Sequence, residues 1–374
     1  MTRDILQRRA GWLWMAMAVV LFLSALRLRA AISADETVLL YPAMARSVPG
    51  GWEVDWQGSI FEAESRGVTT FALRGLLGLG GVEMTDAEEK IFQERSRLFL
   101  VDNERWKAIR VQWGRQSWKL GRSGANGRFA SRQFLGSNQI AAARMASSRE
   151  IHLPLRLEDS GGRMVDGEVH LVTARGLSVV SDIDDTIKVS EVRDHDALLR
   201  NTFCRPFAPV AGMADTYRGW ARQQNAVFHY VSASPWQLYL PLSEFIRSNA
   251  FPAGTFHLKE FRLKDRTALD LLVSPQSYKL SVIEPILRKF PGRQFVLVGD
   301  SGEQDPEVYA TLMRRYPEQV LLILIRDVTG ETEDSERHRR IFRGLARDRW
   351  RVFREAGEIR AALSEMKRLP PKHD

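Results

Sequence analysis

The sequence predicts an α/β fold, a doubly wound parallel sheet, preceded by a mainly β region and an N-terminal hydrophobic helix. Three observations carry this prediction. From Gly176 onward, short and continuously apolar runs (Leu177 to Ser181, Ala226 to Val231, Phe295 to Val298, Val320 to Ile325) alternate with helical segments. That is how parallel strands read when both faces of the sheet are covered. Upstream, short strand-like runs are separated by glycine turns. The chain also opens with sixteen uncharged residues, Gly11 to Leu26, after Arg3, Arg8 and Arg9.

The apolar segment reaches about 24 Å as a helix, short of the roughly 30 Å hydrocarbon core of a bilayer. Its length suits a signal peptide, and Ala31-Ile32-Ser33 offers small residues for cleavage. Arg27 and Arg29 instead suit a short uncleaved anchor whose end snorkels. Both readings place residues 1–34 as a signal peptide or membrane anchor. The remainder is then membrane-anchored or exported to the cell envelope or periplasm.

Residues 35–175 read as a mainly β accessory domain. Its strand-like runs are Thr37 to Leu40, Trp52 to Gln57, Ala108 to Trp113, Arg128 to Phe134 and Glu150 to Leu157. One helix interrupts them, opened by the capping-box pattern Thr85-Asp86-Ala87-Glu88. Gly75, Gly78, Gly80 and Gly81 lack a strand–helix frame and read as turn glycines. Between Val101 and Glu150, ten Lys or Arg face three acids, with Trp106, Trp113 and Trp118 among them. Such a mixture suits an anionic lipid surface, or a β-sandwich with tryptophans inside and arginines solvated. The apolar leader favours lipid over nucleic acid.

In the chain of 374 residues, 44 % are hydrophobic and 27 % charged. This excludes wholesale disorder, collagen-like repeats and a multi-span membrane protein. The single Cys204 forms no internal disulfide, and no Cys/His cluster has zinc-ligand spacing. The net charge of +8 favours anionic partners.

Within residues 176–330 the helical segments are Met213 to Gln224, Pro235 to Ser248, Gln276 to Phe290 and Pro306 to Arg315; residues 331–374 read as a C-terminal helical extension. In a doubly wound sheet the ligand lies at the carboxyl ends of the strands. There the chain carries Ser181-Asp182-Ile183-Asp184-Asp185-Thr186 after the first strand and Gly299-Asp300-Ser301-Gly302-Glu303-Gln304-Asp305 after the third. Carboxylates so crowded call for a hard divalent cation with oxygen ligands. After the second strand, Ser234 is placed to cap a helix opened by Pro235, leaving the Ser232 hydroxyl free. Lys279 opens the helix before the third strand. A carboxylate nucleophile, a proton-moving carboxylate, a hydroxyl, an ammonium and a metal make a phosphoryl-transfer site.

Asp182-Ile-Asp-Asp-Thr186, Ser232, Lys279 and Gly299-Asp300 through Asp305 resemble, in order, the four motifs of the haloacid-dehalogenase (HAD-like) superfamily of phosphatases. More narrowly, Ser181 to Lys188, His229 to Tyr239, His257 to Lys259 and Leu297 to Tyr309 resemble the catalytic domain of actin-patch-type phosphatidate phosphatases. The resemblance implies Asp182 as a nucleophile forming an aspartyl-phosphate and Asp184 as acid and then base. Ser232 and Lys279 would hold the phosphoryl group, and Thr186 and Lys259 would support phosphate and loop. Mg²⁺ would be held by Asp182, Asp184 (through its backbone carbonyl), Asp300 and Asp305. Asp185 and Glu303 are expected to tune the field.

Members of this superfamily often carry a cap domain over the site. Only 45 residues separate Thr186 from Ser232, and 46 separate Ser232 from Lys279. Both intervals are already filled by elements of the sheet, so a HAD-like sheet without a large cap is expected. An open site suits a bulky or interfacial substrate. His257, Lys259, Arg262, Lys264 and Arg266 offer a basic patch toward it, or a solvated connection. The expected reaction is Mg²⁺-dependent hydrolysis of phosphatidate to diacylglycerol and phosphate at an anionic membrane surface. The alternative is a capless phosphatase for a phosphoprotein or another bulky soluble phosphoester, and a third reading is a surface-binding module with a vestigial α/β part. No nucleic acid and no obligate protein partner are expected.

Overall fold

A computed structural model describes residues 31–62, 73–75, 77–143, 149–158, 160–260 and 276–365. The apolar run 11–26 and Arg262, Lys264 and Arg266 lie outside the described residues.

Strands β1 (Glu36–Val48) and β2 (Gly51–Glu62) form a hairpin over Pro49-Gly50, where Gly50 takes φ 80°, a left-handed conformation that glycine adopts without a Cβ clash. With β3 (Asp102–Asn103), β4 (Ala108–Trp113), β5 (Gln116–Arg122), β6 (Arg128–Gly136), β7 (Glu150–Leu157) and β8 (Met164–Val172) they build an eight-stranded sheet. Its order is β3-β2-β1-β8-β7-β4-β5, with β6 on the same flank of β2 as β3, opposite β1. The sheet curls until β6 meets β5, where Ser131 Oγ and Gln133 Nε2 both donate to the Lys119 carbonyl. Period-two alternation decides what lies inside: Ile151, Leu153, Leu155 and Leu157 of β7 are buried, while His152 and Arg156 are exposed. They pack on Val54, Trp56, Ile60, Val111 and Leu120. Trp118 is buried and Trp113 half-buried, their rings 5.9 Å apart, whereas Trp106 is exposed. The tryptophans therefore divide between the two expected readings. The helix Asp86–Arg97 begins with the expected reciprocal cap, Glu88 N–H donating to Thr85 Oγ1 and Thr85 N–H to the Glu88 carboxylate.

The second sheet holds β9 (Gly176–Ser181), β12 (Val227–Pro235), β13 (Gly254–Lys259), β14 (Arg293–Asp300), β15 (Val320–Arg326) and β16 (Trp350–Phe353). Its order is β13-β12-β9-β14-β15-β16 and every pairing is parallel. A two-residue ribbon, β10 (Lys188–Val189) with β11 (Ala208–Pro209), stands beside it. Successive residues face opposite layers. Val179, Phe228, Val296 and Leu322 pack against the helices Met213–Gln223 and Tyr239–Ser248. Val180, Val231, Leu297 and Ile323 pack against the helices Gln276–Lys289 and Asp305–Arg315. Two-sided burial is why these strands read as unbroken apolar runs.

Two strands escape that pattern. β13 ends in polar residues, and β16 is a four-residue edge strand containing Arg351. The C-terminal segment expected to be helical thus adds a strand to the sheet, besides the short helices Glu336–Ile341 and Ala362–Glu365. Chain order runs outward from β9 to β12 and β13, then from β14 the opposite way to β15 and β16. The direction reverses between β9 and β14, so a crevice opens at their carboxyl ends. The intervals on either side of Ser232 hold the ribbon, the helix His195–Phe203 and the elements above, and no inserted cap domain occurs among the described residues. The first sheet abuts this region instead: the Tyr41 ring lies 4.1 Å from that of Trp236, and the Arg128 guanidinium 4.4 Å above Trp236.

Candidate active site

Strand β9 stops at Ser181, whose hydroxyl lies 2.8 Å from Tyr217 Oη, and the next residue, Asp182, donates its N–H to the Val298 carbonyl at 2.9 Å. That bond carries the ladder one step past the strand and sets Asp182 beside the end of β14, where Asp300 stands. Both carboxylates are fully buried at the reversal point.

The intervening loop turns at once. Ile187 and Lys188 N–H groups donate to the Ile183 carbonyl, and Asp185, at φ 52°, donates to the Lys188 carbonyl. The Asp185 carboxylate accepts the N–H groups of Ser190, Glu191 and Val192 at 2.7–2.9 Å, and its carbonyl accepts from Arg326. Asp185 therefore shapes the loop by its own bonds.

Asp184 is saturated. Its Oδ1 meets Lys188 Nζ at 2.7 Å and Ser190 Oγ at 2.8 Å; its Oδ2 accepts from Ser232 Oγ at 2.8 Å and Ser234 Oγ at 3.1 Å. Burial pushes this carboxyl up, but the Lys188 ammonium and the hydrogen bonds together outweigh it and hold it at about 2. Two expectations change here. Ser234 does not cap the following helix, which has no side-chain cap, and the Ser232 hydroxyl is engaged on Asp184. The Asp184 side chain likewise has no oxygen left for a metal. Its backbone carbonyl stands outside the local ladder, which runs through the Ile183 carbonyl and Asp185 N–H.

Lys279 lies in the first turns of Gln276–Lys289, a helix whose first N–H donates to Gln304 Oε1. Its Nζ sits 2.8 Å from both Asp182 Oδ1 and Glu303 Oε2 and also meets Asp305 Oδ1. Asp305 Oδ2 in turn accepts Asp300 N–H at 3.2 Å, and Asp300 Oδ1 accepts Gly302 N–H at 2.6 Å. Three carboxylates thus share one ammonium, with Asp300 standing beside them. Burial raises Asp182 and Asp300 well above the ordinary carboxylate range; Lys279 opposes this, and the neighbouring acids add to it. Burial alone lowers Lys279, but Asp182, Asp305 and Glu303 reverse it and hold its amine well above normal.

Asp182 Oδ2, Asp300 Oδ2 and Thr186 Oγ1 are among the buried atoms that end without a hydrogen-bond partner. Oxygens of Asp182, Glu303 and Asp305 lie within 4.8 Å of one another, but Lys279 already occupies that group. The unpartnered oxygens of Asp182 and Asp300, with charge left over, fit a hard divalent cation. Asp305 fits as the support of Asp300 and Lys279. Lys259 ends β13, on the far side of β12 from Asp182. His257 accepts or donates at 3.0 Å to Thr255 Oγ1, and burial with nearby Lys289 lowers it to about 4. It is neutral and adds no charge to the expected basic patch.

Sequence reasoning missed Lys188, Ser190 and the true role of Ser234. Lys188 closes the quoted stretch from Ser181, and only the turn at Asp185 reveals that it folds back on Asp184. Gly299 offers a direct check of the cradle, since a Cβ there would lie 2.6 Å from Asp305 Cγ, closer than packed atoms allow. Gly299→Ala is expected to displace Asp305, lower Tm by several degrees and reduce turnover by at least about tenfold. Unchanged Tm and turnover would show that the cradle is loose.

Fold and site define a doubly wound α/β domain with a carboxylate–lysine centre at its reversal point. Residues 177–327 match the family model described as the catalytic domain of phosphatidate phosphatase APP1. Phosphatidate phosphatase APP1 of Saccharomyces cerevisiae is 35 % identical over 170 residues, covering 45 % of this chain and 28 % of that protein. An uncharacterised protein of Schizosaccharomyces pombe is 33 % identical over 179 residues, covering 46 % and 29 %. The chain spans less than a third of the length of these curated relatives.

Proposed function

We propose that this chain is a phosphoric monoester hydrolase of the haloacid-dehalogenase type that converts phosphatidate to diacylglycerol and phosphate at a membrane. The observation that carries the reading is the buried pair Asp182 and Asp300 at the reversal point, each with an unpartnered oxygen, inside the segment that matches the phosphatidate phosphatase family model. No helix among the described residues is long and apolar enough to cross a membrane. Membrane attachment or export through residues 11–26 is part of the proposal, as is the division into a β accessory domain and a catalytic domain.

Asp182 attacks phosphorus with the carboxylate oxygen that the cation leaves free, and the bond from phosphorus to the glycerol oxygen breaks, leaving an aspartyl-phosphate. Lys279 holds Oδ1 in place and faces the transferring oxygens. Asp182, Asp300 and the Asp184 carbonyl would hold Mg²⁺, with Asp305 supporting Asp300; the ion supplies screening of the charge that nucleophile and phosphate share. In the second step water attacks phosphorus, the bond from phosphorus to Asp182 breaks to release phosphate and the free carboxylate, and Asp184, ionised in this structure, takes the proton of the water. For the first step it must carry a proton to the leaving oxygen. The bonds from Lys188, Ser190, Ser232 and Ser234 then loosen, which frees Ser232 to meet a phosphoryl oxygen.

Mg²⁺ at a hundred times its Kd is expected to stabilise the folded chain by about 2.7 kcal/mol, read by thermal unfolding with and without chelator. Asp300→Asn is expected to lose that gain. Equal gains in the variant would move the ion elsewhere. Substrate class is tested with phosphatidate vesicles beside soluble phosphomonoesters and phosphopeptides. Turnover confined to vesicles supports the proposal, and turnover confined to the soluble set contradicts it.

A further inference from the structure

We propose that the end of the first sheet carrying Trp106 and Met164 is the face on which this protein rests against a lipid bilayer. Trp106 is 62 % exposed. Its φ of 65° puts a bulky residue in the left-handed region, at a cost of about 1–2 kcal/mol. The fold holds this backbone through the Trp106 N–H, which donates to the Ser123 carbonyl at 2.9 Å, and leaves the indole exposed. Indole rings are enriched at the headgroup layer of bilayers, where one edge is apolar and the other wet.

The chain leading to this face fixes what covers it. Lys107, next to Trp106, donates Nζ to the Ala31 carbonyl at 3.1 Å and pairs with Glu36. On the other side Arg163 donates to the carbonyls of Ser33 at 2.8 Å and Ala34 at 3.2 Å. Residues 31–36 are therefore clamped between Trp106 and Met164, the latter 58 % exposed. The uncharged run ends at Leu26, five residues before Ala31, and five residues span at most about 18 Å. Wherever that run is seated in a membrane, this end of the sheet is held at the headgroup layer. Arg105 and Arg122 are exposed beside Trp106, with Arg122 donating to its carbonyl at 3.4 Å. Both guanidinium groups suit lipid phosphates.

The same end leads to the catalytic crevice. Asn103, Asn126 and Arg128 line a cleft shared with Trp236 and Gln237, which follow the tip of β12, and with exposed Leu240. This cleft joins Asn103, three residues before Trp106, to the residues that follow the tip of β12. The inference rests on the phosphatidate reading only for its purpose, because depth in a bilayer is measured without turnover.

Trp106→Cys, Met164→Cys and Phe134→Cys suit single-site labelling, since the remaining Cys204 is buried. Phe134, 55 % exposed, pairs with Glu53 near the opposite end of β2. Full-length proteins carrying an environment-sensitive fluorophore are reconstituted in vesicles of phosphatidylcholine and phosphatidylglycerol containing headgroup-proximal spin-labelled lipid. Labels at 106 and 164 are expected to be quenched at least about twofold more than at 134. Equal quenching at all three sites overturns the proposal. So does a blue shift at 106 that grows with protein concentration in detergent alone, which would make a second copy the occupant. As a check free of label, Trp106→Phe is expected to keep Tm and turnover of phosphatidate dispersed in detergent micelles while losing several-fold turnover on vesicles. Deep labels with no phosphatidate turnover would defeat the substrate reading and leave the docking face standing; phosphatidate turnover with labels in water would do the reverse.

Discussion

Asp182→Asn is expected to abolish phosphatidate turnover, by about four orders of magnitude or more, and yet to leave the metal-free protein as stable as before or more so. The two effects share one cause. In the proposed reaction Asp182 is the nucleophile, so the amide leaves none. Asp182 is also one of three acids that meet a single ammonium, and burial with its neighbours raises its carboxyl well above the usual range. A neutral amide removes charge that the folded state holds at a cost. Single-turnover assays on vesicles and calorimetry in chelator measure the pair of effects. A variant that is inactive because it unfolds would deny the site its excess negative charge.

Lys279→Met is expected to give the same loss of activity with the opposite effect on the fold. Its Nζ is the cation shared by Asp182, Glu303 and Asp305, and all four side chains are largely or wholly buried. Removing one member of a buried ionic group strands the rest, at a cost of about 3–5 kcal/mol. Part of that cost is expected to return with Mg²⁺ or when Asp305→Asn is combined with Lys279→Met, because each lowers the unpaired charge. Denaturant unfolding of both single variants and the double variant reads the coupling. Additive losses would mean that Lys279 and Asp305 do not depend on one another.

These opposite signs were not visible in the sequence, although the residues were. Asp182, Ser232, Lys279 and Asp300 stand at the ends of apolar strands or the start of an adjoining helix, and the unbroken hydrophobicity of those strands marks where each ends. Chain order supplied the rest, since outward and return halves must reverse somewhere. What the sequence hides is the state of each side chain. Asp184 reads as a proton donor, but the turn at Asp185 brings Lys188 and Ser190 against it, and Ser234 reaches it instead of the helix. Such contacts depend on one left-handed residue, a local choice with no hydrophobic period to announce it. Edge strands hide for a related reason: β13 and β16 are covered on fewer sides and mix polar residues with apolar ones. Among the tryptophans, alternation within β4 and β5 separates Trp113 and Trp118 from Trp106, which precedes the strand and escapes its pattern.

The most direct test of the central claim is to stop phosphatidate turnover with acid in its first moments and map phosphate on the protein by mass spectrometry. One phosphoryl group on Asp182, formed only when divalent cation is present and absent from Asp300→Asn, is the result this account predicts. Continued turnover with no phosphate on Asp182 at any time, or phosphate on another side chain, would contradict it.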